Sequence, residues 1–148
     1  MQRTVPVPIP RLIEQIPQGA RVYILGCGDC ATTERFGGAD ECEQAARALE
    51  AEGVRVCGWS APPEGQGTCD PRVARAALDA ASEALEDADA IVLLACPQGA
   101  PAVEGATDLP VIVGTQVVLG GPTGGGRTRV AECDFCEQCI AEVAGGLC

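Results

Sequence analysis

Residues 90–95, AIVLLA, carry no polar side chain, and they narrow the choice of fold more than any other stretch. An apolar run of that length predicts a strand buried on both faces, as in parallel sheets covered by helices on each side. It ends at Cys96. Residues 21–26 (RVYILG) and 54–59 (VRVCGW) read as two further strands, and residues 109–119 as a fourth, bent at Gly114. Helical segments fall between them. A loop with Gly37 and Gly38 leads to Asp40, a predicted N-cap with Glu43 three residues on. That helix continues through Ala45, Ala46 and Leu49 to a stop at Gly53. After the turn-rich SAPPEGQGT loop, Asp70 caps a long alanine-rich helix with Pro71 in its first position, where a missing amide proton costs nothing. Residues 97–108 read as a short segment interrupted by Pro and Gly. Strand and helix alternate, so the expected fold is α/β: an open, mostly parallel, Rossmann-like sheet of about four strands flanked by helices. Ligands of such sheets lie beyond the carboxyl ends of the strands.

The chain of 148 residues is one domain's worth. The expected organisation is an extended N-terminal arm over 1–20, an α/β domain over 21–119, a Gly-rich linker over 120–132 and a cysteine-rich metal-binding segment over 133–148. Prolines at 6, 8 and 10 extend the arm, residues 11–16 add a helical turn or two, and the arm is suited to lie against a partner. Ten basic and 21 acidic residues leave a net charge of -11, which argues against nucleic acid and anionic membranes as partners. The first residues have no apolar signal core, and no apolar run reaches membrane-span length, so a cytoplasmic location is expected.

Ten cysteines occur with no histidine. The commonest general base and the commonest nitrogen ligand are both missing. Any metal must be held mainly by sulfur, which favours zinc or iron–sulfur clusters. Cys27 and Cys30 lie in a glycine turn just beyond the first strand, Cys69 at the start of the second helix, and Cys96 at the end of the third strand. A parallel sheet would bring all four to one edge. Cys69 also precedes a helix N-terminus, where free amides favour a thiolate. Cys57, mid-strand, and Cys42, on the first helix, read as small buried apolar residues. Cys133, Cys136 and Cys139 form CxxCxxC, the spacing of the first three ligands of bacterial ferredoxin-type clusters, and Cys148 is the expected fourth. Zinc is the alternative there.

Gly26, Gly28 and Ala31 fit a dinucleotide-binding GxGxxG/A pattern, but no acidic residue ends the second strand, where the ribose contact belongs. A thioredoxin-like dithiol at Cys27 and Cys30 leaves Cys69 and Cys96 unexplained. GGPTGGGRTR, at 120–129, lacks the Lys-Ser/Thr pair of a phosphate loop.

The succession GCGDC, GG before a helix, TCDP, LLAC, LGG and CDFCEQCIAEVAGGLC resembles the methylenetetrahydrofolate reductase C-terminal domain family. The resemblance runs from Tyr23 to Cys148. It implies a small accessory electron-transfer subunit that carries one or two [4Fe-4S] clusters and docks on a flavin-containing methylenetetrahydrofolate reductase subunit, with or without a further electron-donor subunit. Carried over, the ligands are Cys27, Cys30, Cys69 and Cys96 in one set and Cys133, Cys136, Cys139 and Cys148 in the other. It implies no catalytic residue. Relatives often have a further cysteine near the position of Glu34, and a basic, Gly-rich tail after the last cysteine. A zinc-holding structural adaptor and a thiol redox protein are the competing readings.

Overall fold

The computed structural model describes residues 2–119 and Arg129–Val130. Residues Thr4–Gln116 make one compact unit. Its centre is a four-stranded sheet of β2 (Arg21–Leu25), β3 (Arg55–Ser60), β4 (Ala90–Leu93) and β5 (Val111–Val113), in the order β3-β2-β4-β5. Every pairing in it is parallel, because each return crosses through helix. The helices are α1 (Ile9–Gln15), α2 (Cys30–Thr33), α3 (Ala39–Ala51), α4 (Pro71–Ala80), α5 (Ser82–Glu86) and α6 (Gly99–Glu104). The mixed α/β class and the parallel sheet flanked by helices are as expected. Among the described residues no helix is long and apolar enough to cross a membrane.

The two-residue period of the strands sorts the core into two layers. Tyr23 and Leu25 of β2 and Ile91 and Leu93 of β4 pack with Ala74 and Leu78 of α4 and Val103 of α6. Val22 and Ile24 pack with Ala90 and Val92 and with Leu12 of α1 and Cys42, Ala46 and Leu49 of α3. All four residues of β4 are buried. Each fully buried Val, Ile or Leu contributes about 1.5–3 kcal/mol, which is why a strand this short can hold the centre of the sheet.

Strand order reverses between β2 and β4: the chain leaves β2 toward β3 through α3 on one face, and leaves β4 toward β5 through α6 on the other. This is a topological switch point, the place where open α/β sheets form a ligand crevice.

Several details differ from expectation. The predicted fourth strand is two. Gly114 N donates to Leu93 O at 2.8 Å, continuing the β5 ladder, while Gly114 O accepts from Val7 N at 2.9 Å. Beyond Gly114, β6 (Thr115–Leu119) joins a separate sheet in the order β1-β6-β7, with β1 (Gln2–Pro6) and β7 (Arg129–Val130). β6 and β7 pair antiparallel, Val118 opposite Val130. A Cβ at Gly114 would stand 2.7 Å from Leu94 Cδ2, so a side chain would obstruct the switch. The segment read as an arm supplies β1 and α1, and α1 buries Leu12 in the core.

The cap of α3 is Gly38, with Asp40 already inside the helix; Glu41 reaches back and accepts from Gly38 N at 3.0 Å. Gly53 follows the helix end with φ 85°, the left-handed conformation of a helix stop. Asp70 does cap α4, Oδ1 accepting from Arg72 N at 2.8 Å. The alanine-rich helix breaks at Ala81 into α4 and α5, with no Pro or Gly at the break. Residues 99–104, read as interrupted, form α6.

Candidate functional site

Four parallel strands must end at one edge, and three loops at that edge carry cysteines. The first loop leaves β2. Gly26 N bonds Ser60 O at 2.8 Å and Cys27 N bonds Gly37 O at 2.9 Å, so the turn is anchored to the end of β3 and to the loop before α3. The second is the long β3–α4 loop, which folds back onto the first: Gly28 N donates to Gln66 O at 3.1 Å and Gly65 N to Gly28 O at 2.8 Å. The third follows β4, where Thr115 Oγ1 donates to Ala95 O at 2.6 Å beside Cys96.

The glycines of GCG answer to this crossing of backbones. A Cβ at Gly28 would lie 2.1 Å from Pro63 O, a separation no side chain can occupy. Gly26 and Gly28 therefore have a structural cause here, independent of any dinucleotide.

Cys27 is buried, whereas Cys30 and Cys69 reach solvent and Cys96 is half-buried. Burial pushes the Cys27 thiol up, but the backbone amides of Asp29 and Thr68, the Thr68 hydroxyl and the Ala31 amide together outweigh it and leave it below its ordinary value. Donors turned toward a sulfur favour its anionic form. Cys30 behaves oppositely: partial burial, then the approach of Cys96 and Cys27, with Asp29 behind them, push its thiol up to about 12. Neighbouring thiols resist joint ionisation unless a cation compensates their charge.

Cys69 sits just before the α4 cap. A Cβ at Gly67 would stand 3.1 Å from Cys69 Sγ and 3.5 Å from Asp29 Cβ, which puts this thiol beside the Cys27–Cys30 turn. The structure thus groups Cys27, Cys30 and Cys96 and sets Cys69 at their flank. Among the described residues, no three Cys, Asp or Glu side chains are drawn into a common metal-ligand shell. The chain has no histidine, and the Cys27 sulfur has amide donors turned toward it.

Cys42 and Cys57 divide. Cys42 is buried, its sulfur 3.8 Å from Gly37 O, and burial with the nearby Glu41 and Cys27 pushes its thiol up to about 12; it is an inert core residue. Cys57 is only half-buried. It is the extra residue of a β-bulge, skipped in the register between Val22↔Val56 and Tyr23↔Gly58. Cys133, Cys136, Cys139 and Cys148 lie outside the described residues, as does all of the Gly-rich linker at 120–132 except Arg129 and Val130.

Sequence reasoning passed over Thr68. It is fully buried and its Oγ1 has no nitrogen or oxygen hydrogen-bond partner. An orphaned hydroxyl in a protein interior costs about 1–3 kcal/mol. Its position in TCDP, next to a candidate ligand, was the one signal available.

Comparison with protein-family models, curated proteins and solved structures finds no match.

Proposed function

We propose that this chain is an iron–sulfur electron-transfer subunit that docks on a flavin-containing reductase of the methylenetetrahydrofolate reductase type. The observation that carries the reading is the meeting, at one edge of a parallel sheet and at its switch point, of loops bearing Cys27, Cys30, Cys69 and Cys96. The sequence resemblance supports it, as does CxxCxxC at Cys133, Cys136 and Cys139 with Cys148 beyond.

In this reading Cys27, Cys30, Cys69 and Cys96 hold one [4Fe-4S] cluster and the C-terminal four hold a second. Bound clusters supply one-electron transfer between a donor and the partner's flavin. The chain's own residues bind and tune. Cys27, amide-supported and buried, anchors a cluster on the protein side; the backbone crossings at Gly26 and Gly28 keep its loop rigid. Exposed Cys30 and Cys69 lie on the solvent side, where a partner could approach. No general base is required of such a subunit.

The test is anaerobic purification followed by metal analysis and EPR of the reduced protein. Iron with acid-labile sulfide and a reduced-cluster signal is expected, and Cys96→Ser should lower the iron content. Zinc without iron would overturn electron transfer in favour of a structural adaptor.

A further inference from the structure

A cavity of about 370 Å³ opens on the side of the sheet covered by α1 and α3, at the carboxyl ends of β4 and β5. Leu94 directly follows β4 and Gly114 directly follows β5, so the cavity lies beside the switch point, where open α/β sheets take their ligands. Its size falls within the roughly 300–1,000 Å³ of small-molecule sites. Among the described residues no cysteine lines it.

Its walls are fixed by contacts between distant parts of the chain. Val7 N donates to Gly114 O at 2.9 Å and Gly114 N to Leu93 O at 2.8 Å, which ties the segment entering α1 to the end of β5. A Cβ at Gly37 would stand 1.7 Å from Leu94 O, so the loop before α3 is pressed against the end of β4 and holds Phe36 there. Leu12, Phe36 and Leu94 are buried and make the apolar wall.

Glu41 is the only charged side chain among the described lining residues. Its Oε2 accepts from Gly38 N at 3.0 Å, and no described residue donates to its other oxygen. Gln44, three residues on and therefore on the same helix face, lines the cavity with it. Asp40 adds a second negative charge to the first turn of α3. This charge repels phosphates and carboxylates, and the cap amide that could have met an anion is already taken by Glu41. An apolar wall beside a carboxylate suits the opposite chemistry.

We propose that the cavity binds a small amine: its apolar body packs on Leu12, Phe36 and Leu94, and its ammonium head donates to Glu41 Oε1 and to the Gln44 side-chain carbonyl. An ion pair facing solvent is worth little by itself, so burial supplies the affinity and charge supplies the choice among ligands. The site does not depend on the metal chemistry proposed above.

The experiment is saturation-transfer NMR on the full chain at neutral pH, with probes that share one ring: cyclohexylmethylammonium, cyclohexylmethanol and cyclohexanecarboxylate. Dissociation constants should rise in that order, the ammonium binding about two- to fivefold more tightly than the alcohol. Glu41→Gln keeps an acceptor for Gly38 N, since glutamine closes such a cap as well, and should make ammonium and alcohol bind alike. Ala48→Phe places a ring in the cavity and should abolish binding of both. Should Ala48→Phe fail to fold, as followed by circular dichroism, the Glu41→Gln comparison still decides. An ammonium preference that survives in Glu41→Gln overturns the proposal. So does carboxylate binding as tight as ammonium binding, undiminished binding to folded Ala48→Phe, or no transfer to the ammonium probe with wild type. Iron content is measured separately and bears only on the electron-transfer reading.

Discussion

The hydroxyl of Thr115 donates a 2.6 Å hydrogen bond to the carbonyl oxygen of Ala95, tying the first residue of β6 to the residue before Cys96. Thr115 is buried. The bond spans the point at which the chain leaves the parallel sheet, so it couples the change of sheet at Gly114 to the placement of a candidate ligand.

Thr115→Val removes the donor and deprives the Ala95 carbonyl of this partner. The expected loss of stability is about 1–3 kcal/mol, read by urea denaturation of the metal-free protein. Iron content after anaerobic reconstitution should fall with it, because the Cys96 loop loses its tether. Unchanged denaturation and unchanged iron would show that the loop is held by its packing instead.

Leu12→Ala tests whether the proline-rich beginning of the chain belongs to the core. Leu12 is 1% exposed and packs in the layer formed by Val22, Ile24 and Leu49. Truncation should cost about 2–5 kcal/mol, as for other buried leucines. A detachable arm would show almost no change in the denaturation midpoint.

Cys42 supplies a pH dependence. Its thiol is pushed up from 9.0 to about 12, first by burial and then by Glu41 and Cys27. The folded state keeps the proton to higher pH than the unfolded chain does. The stability linked to this proton is therefore complete below about pH 9 and is lost as pH rises toward about 12. Cys42→Ala removes the linkage. Measured by chemical denaturation at about pH 8 and about pH 10, the variant should lose less stability between the two than wild type does. Parallel losses would mean that Cys42 ionises freely in the folded protein.

The strands were legible in the sequence wherever apolar character was continuous: residues 90–95 contain β4, and residues 21–26 contain β2. The Asp70-Pro71 start of α4 was legible because a side-chain cap and a Pro with no amide to satisfy are local chemistry. The α3 cap was not, since Gly38 offers no side chain and the reciprocal bond comes from Glu41. The break at Gly114 was visible as a bend, but not as a change of sheet. Which partner accepts or donates there depends on Val7 and Leu93, both distant in sequence.

What the sequence determined by itself is the α/β class and the chemistry available to it: periodicity and unbroken apolar runs specify element type, and ten cysteines with no histidine restrict any metal site mainly to sulfur. What the tertiary structure alone decided is which groups meet. The order β3-β2-β4-β5 sets Cys27 and Cys96 on either side of the switch point. Backbone crossings near Gly28 carry Cys69 to their flank, and the same packing shuts the Thr68 hydroxyl away from water. Proximity and desolvation belong to pairs of residues far apart in the chain, and no local pattern encodes them.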